Sequence, residues 1–134
     1  MPHLTLEYSA NLQADGELQA LCVSLAKTLV AQQVDGKAVY PIGGVRVRAY
    51  PCTAYCIADG SVPDAGFVHG VLKIGAGRAE ATLKATGDAL FDVMKRHFAA
   101  RFERHGLALS LEIGEFSESG TWKHNNLHAH FRKG

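Results

Sequence analysis

Residues 2 to 8, PHLTLEY, alternate: Leu4, Leu6 and Tyr8 point one way and His3, Thr5 and Glu7 the other, the period of a half-buried strand. Asp15 then offers an N-cap, and Leu18, Leu21, Cys22, Leu25, Ala26, Leu29 and Val30 recur at three- and four-residue steps, which predicts a helix ending before Gly36. After a loop containing Asp35, Gly36, Pro41, Gly43 and Gly44, VRVRAY alternates again, with Val45, Val47 and Ala49 opposite Arg46, Arg48 and Tyr50. Pro51 interrupts this ladder or bends it at a sheet edge. The second half repeats the plan. FVHGVLKIG at 67 to 75 reads as a strand. A helix follows from Ala79 to about His105, with Leu83, Leu90, Met94, Phe98 and Phe102 on its stripe and Gly106 placed to stop it. LALSLEI at 107 to 113 is the last strand.

Strand, helix, strand, twice over, implies an α+β fold in two layers: two tandem β-α-β units forming one four-stranded sheet with two helices on one face. The repeat covers about 2–60 and 66–117 of a single domain spanning 1–134, and 118–134 is left as an arm reaching a neighbouring chain. Two helices cover only one sheet face, so the face carrying His3, Thr5 and Glu7 must meet water or another subunit, and an oligomer is expected.

Composition narrows the function. The chain has 134 residues, 47% hydrophobic and 20% charged, which describes a folded globular chain and not a disordered one. Fourteen Lys and Arg against thirteen Asp and Glu are too balanced for a partner that is nucleic acid or an anionic membrane. No stretch approaches the roughly 18 to 20 apolar residues that cross a bilayer, and no secretion signal opens the chain, so the cytoplasm is the expected location. Cys52 and Cys56 lie four apart on a strand-like stretch, about 13 Å, too far for a disulfide. His124, His128 and His130 lie in a segment without cysteine or acidic residues, so no metal site is expected there.

Three places carry possible chemistry. The chain begins Met-Pro, and removal of Met1 would leave Pro2 as a free secondary amine at the start of a strand. An α-amino group titrates near pH 8; arginines and an apolar pocket lower that value and leave a neutral amine able to take a proton. A retained Met1 would make the same nitrogen a tertiary amide. Arg46 and Arg78 are candidate cations, and Arg48 lies on the same side of its strand as Arg46. Gly75, Ala76 and Gly77 lead with Arg78 from a strand into a helix, where close backbone approach, unpaired N–H groups and a guanidinium suit a carboxylate. The glycine spacing does not match a dinucleotide fingerprint.

Met1-Pro2-His3, GGVRVR, FVHGVLKIGAGR and NNLHAHF together resemble the 5-carboxymethyl-2-hydroxymuconate isomerase family of the tautomerase superfamily, over Pro2 to about Phe131. The segment YPCTAYC departs from the family pattern, in which tryptophan and acidic residues are expected. The resemblance implies a homotrimer of tandem β-α-β units and a small-molecule carboxylate substrate from aromatic-compound breakdown by the homoprotocatechuate route. Pro2 would be the general base, and Arg46 and Arg78, with Arg48 beside them, would bind and polarise the substrate. The implied proton transfer needs no cofactor, because the adjacent carbonyl is the electron sink. Two other activities remain compatible with these residues: a decarboxylase or hydratase of the same superfamily that uses a protonated proline, or a trimeric binding protein with a vestigial pocket.

Overall fold

The computed structural model describes residues 1–132. Strand β1 (His3–Ser9) leads through a 3-10 turn at Ala10–Leu12 into helix α1 (Leu18–Val30). A small hairpin, β2 (Gln33–Val34) and β3 (Lys37–Ala38), precedes strand β4 (Arg46–Cys52). The second unit is strand β5 (Gly66–Gly75), helices α2 (Glu80–His97) and α3 (Ala99–Arg104), and strand β6 (Leu107–Phe116). A short helix α4 (Leu127–Arg132) closes the described chain. The sheet order is β4-β1-β5-β6. Each unit supplies a parallel pair, and the two units join antiparallel through β1 and β5.

The strand periodicity survives as register. Leu4, Leu6, Tyr8, Val68, Leu72 and Ile74 are buried against Leu21, Leu25 and Leu29 of α1 and Leu90 and Met94 of α2. Burying side chains of this size stabilises by about 1.5–3 kcal/mol each, which explains why a one-residue slip of either central strand is excluded. The opposite face carries cross-strand rows of Arg48, Thr5, Val71 and Glu112, and of Tyr50, Glu7, His69 and Ser110. No helix of the described chain covers those rows.

Four local expectations are corrected. Asp15 does not cap α1. The 3-10 turn buries Leu12, the Gly16 N–H bonds the Leu12 carbonyl at 2.7 Å, and the cap falls on Glu17 in a left-handed conformation (φ 50°). The predicted helix to about His105 is broken at Phe98, whose ring stays buried while His97 Nε2 donates to the Gly16 carbonyl at 2.7 Å. The break shifts the phase of the stripe and leaves Phe102 62% exposed. Gly106 does not stop the helix in a left-handed turn. His105 is already extended, and the Gly106 carbonyl instead accepts the Gly66 N–H at 2.9 Å. The strand-like stretch through Cys56 ends at Cys52, because Pro51 is held on edge strand β4 and a loop follows; all three thiols are free.

The loop around Asp35 and Gly36 contains an ordered turn, with φ of 53° and 78° at the two positions, joining β2 to β3. It delivers Tyr40 into the core. Residues 118–132 fold back along their own chain: α4 packs on the turn Ile42–Gly44, and Asn125 Nδ2 donates to the Gly43 carbonyl at 3.1 Å. The expected arm therefore has a seat on its own chain, and its last two positions lie outside the described residues.

Candidate active site

The chain's leading end is the fixed point around which the site is built. Pro2 is buried, and its carbonyl accepts the Arg46 N–H at 3.0 Å, a first rung ahead of the β1–β4 ladder. The glycines of GGVRVR make room for two different neighbours. A Cβ on Gly44 would lie 3.2 Å from Met1 Cα, and one on Gly43 would lie 2.7 Å from the backbone nitrogen of His128 in α4. Close approach of the amino end and of the C-terminal arm both depend on these missing side chains.

Arg46 and Arg78 both lie close enough to that end to act on its charge. Arg46 donates from one guanidinium nitrogen to the Gly44 carbonyl at 3.0 Å. Arg78 follows Gly77, whose φ of 114° belongs to glycine, and donates to the carbonyls of Gly75 at 3.0 Å and Val39 at 3.4 Å. Its guanidinium also lies 4.8 Å over the ring of Tyr40, which is fully buried with its hydroxyl 2.8 Å from Thr86 Oγ1. A guanidinium has five N–H donors, so both arginines keep donors for an anion after these contacts. Ala79, at the cap position of α2, makes no side-chain hydrogen bond to the first turn.

Burial, followed by the charges of Lys123, Arg78 and Arg46, pushes the α-amine of Met1 below its ordinary value; Glu118 opposes them. His3 is likewise held below the usual imidazole range, by burial and then by Arg48 and Arg46. Arg48 reaches this region only through His3, with its guanidinium nitrogen 3.2 Å from Nδ1. Arg48 is a donor without acceptor capacity, so His3 Nδ1 accepts and Nε2 carries the proton.

Beside the amino end lies a cavity of about 340 Å³, lined by Met1, His3, Arg46 and Phe116 together with Thr121 to Asn125 of the arm. The sequence brought out Pro2, Arg46 and Arg78 and set Arg48 beside them; of these Arg46 lines the cavity, while Pro2 follows Met1 and Arg78 lies near enough to the Met1 amine to lower its pKa. It did not bring out Lys123, Glu118, His3 or Tyr40 as neighbours of the site. The one available signal was the density of polar residues in WKHNN, which is also what a solvated tail looks like. An amine at this end, its pKa lowered by burial and cations, can accept a proton from a substrate in its unprotonated form, and the same cations can hold negative charge that develops on oxygen.

Comparison with known proteins agrees in extent and in kind. The family model described as 5-carboxymethyl-2-hydroxymuconate isomerase matches residues 2–131. The chain is 38% identical to the 5-carboxymethyl-2-hydroxymuconate Delta-isomerase of Escherichia coli over 132 residues, which is 98% of this chain and all of that one. It superposes with a TM-score of 0.90 on the crystal structure of a 5-carboxymethyl-2-hydroxymuconate isomerase from Deinococcus radiodurans R1, at 51% identity, covering 98% of this chain and 94% of that one. A fused 4-OT symmetric trimer, 12% identical, shares the fold with a TM-score of 0.61 over 91% of this chain and 93% of its own. That fold is the one of the tautomerase superfamily.

Proposed function

The chain belongs to the 5-carboxymethyl-2-hydroxymuconate isomerase family, and from that premise we propose that the Pro2 nitrogen, freed by loss of Met1, is the base that moves a proton within 5-carboxymethyl-2-hydroxymuconate. The base takes the proton of the 2-hydroxyl as the C–O bond becomes a carbonyl. The electron pair shifts along the diene to a carbon, which then receives the proton from the prolinium and gives the 2-oxo isomer. Atoms and electrons balance within the substrate, and the reaction is redox-neutral.

The observation that carries this reading is that Pro2 is buried next to a Met1 amine whose pKa is lowered by burial and by Lys123, Arg78 and Arg46, surroundings that a proline amine freed by loss of Met1 would share. These cations disfavour the prolinium that a hydratase or decarboxylase of the superfamily would use as an acid. Arg46 and Arg78 bind substrate carboxylates and stabilise the dienolate oxygen, and Arg48 holds His3 with its Nε2–H toward the substrate. Loss of Met1 would open the space its side chain fills against Gly44.

The enzyme works as a homotrimer in the cytoplasm, in homoprotocatechuate degradation. The uncovered rows of the sheet and the exposed Tyr50, Ile42 and Trp122 support assembly, and three free thiols suit a reducing compartment. Mass spectrometry of purified protein should find Met1 absent, and the dienol absorbance assay should show turnover that Pro2→Ala reduces by about 100-fold or more. Undiminished turnover in Pro2→Ala would remove the proline from the mechanism.

A further inference from the structure

A cation on the C-terminal arm and an acid beside it complete the site in a way that the family motifs leave unassigned. Lys123 Nζ lies 2.9 Å from Glu118 Oε2. Glu118 sits among three positive groups: Lys123, the chain's amino end and Arg78, and these lower its pKa, Lys123 most strongly. Its approach is built in at Gly75, where a Cβ would lie 2.5 Å from Glu118 Oε1. The arm is held in place by Asn125 on Gly43 and by Thr121 Oγ1, which donates to the Ser117 carbonyl at 2.7 Å.

We infer that Lys123 is the third substrate-binding cation of the site, and that Glu118 occupies the position of a substrate carboxylate while the site is empty. This rests on the isomerase reading above, whose substrate carries three carboxylates by its chemistry. Arg46 and Arg78 provide for two of them. A third carboxylate brought against the cavity wall without a cation would be desolvated and unpaired. Lys123 lines that cavity, and its bond to Glu118 shows an ammonium placed to hold a carboxylate there. Glu118 is 59% exposed, so releasing it to water when a substrate carboxylate takes its place costs little. The exchange also removes the one negative charge that raises the terminal amine's pKa, and the arriving carboxylate replaces it.

The test uses Met1-free protein and two probes in titration calorimetry: tricarballylate, a saturated tricarboxylate that cannot tautomerise, and phenylpyruvate, a monocarboxylate. Lys123→Met should weaken tricarballylate binding by about tenfold or more, the scale of one charge-assisted hydrogen bond, while Lys123→Arg restores it. Glu118→Gln should tighten it, and phenylpyruvate binding should change by less than about threefold in Lys123→Met. In kinetics, KM should carry most of the Lys123→Met effect, and the acid limb of the kcat/KM profile should move to higher pH. Wild-type affinity for tricarballylate in Lys123→Met, or equal losses for both probes, overturns the inference. If dienol turnover is absent while the calorimetric pattern holds, the isomerase reading fails and the third cation stands; turnover with unchanged binding gives the converse.

Discussion

Arg78 does two things with one side chain: it ties the Gly75–Arg78 turn to the Val39 carbonyl and it faces the amino end. Arg78→Ala should lower kcat by about 100-fold or more, because a donor aimed at developing charge contributes that much. Stopped-flow measurement of the dienol reaction checks it, and unchanged kcat would remove Arg78 from the chemistry. Beneath it, Tyr40→Phe should leave Thr86 Oγ1 buried without its partner and cost about 1–3 kcal/mol in denaturant unfolding. At this scale the sequence was informative only where a residue type is unusual in place. A proline behind an initiator methionine and an arginine behind two glycines stand out from their neighbours. Glu118 and Lys123 do not, since a carboxylate and an ammonium five residues apart look like any surface pair until Gly75 and the amino end are packed beside them.

The elements followed hydrophobic period closely, and failed where a tertiary contact overrode a local signal. The stripe of α1 was legible because Leu21, Leu25 and Leu29 all face the sheet. Its start was not, since Asp15 is a good cap in isolation but the buried Leu12 and the Leu12–Gly16 bond place the chain's reversal before it. Phe98 ends α2 for a similar reason: a ring held in the core and His97 bonded to Gly16 across the structure leave no local mark. The two site turns make element-level predictions. Gly77→Ala forces a side chain onto a φ of 114° and should destabilise by about 1–2 kcal/mol, a fall of several degrees in Tm by calorimetry. Gly43→Ala places Cβ against the backbone of α4, so the arm must move. The single tryptophan, Trp122, reports it: fluorescence anisotropy should fall while the far-UV spectrum of the helices is retained.

For the whole molecule, no helix among the described residues covers the second face of the four-stranded sheet, where Thr5 and Val71 lie between Arg48 and Glu112. The homotrimer proposal assigns that face to other copies of the chain. Sedimentation equilibrium should return three times the 14.4 kDa chain mass. Val71→Asp, which would bury a second carboxylate beside Glu112 on the face assigned to the interface, should shift the protein toward monomer through the cost of desolvating an unpaired charge there. A trimer unaffected by that change would place the interface elsewhere.

The central claim is that a terminal proline nitrogen is the base, and one comparison tests it most directly: kcat/KM on the dienol against pH, for protein with Met1 removed and for the same protein with Met1 retained, each form verified by intact mass. Met1-free enzyme should gain activity with rising pH through a single pKa below the ordinary α-amino value near 8, since the base must be unprotonated and the burial and cations that lower the Met1 amine's pKa would surround the freed proline nitrogen as well. The retained form should be slower by about 100-fold or more, its Pro2 nitrogen being an amide. Equal activity of the two forms at every pH would contradict the account.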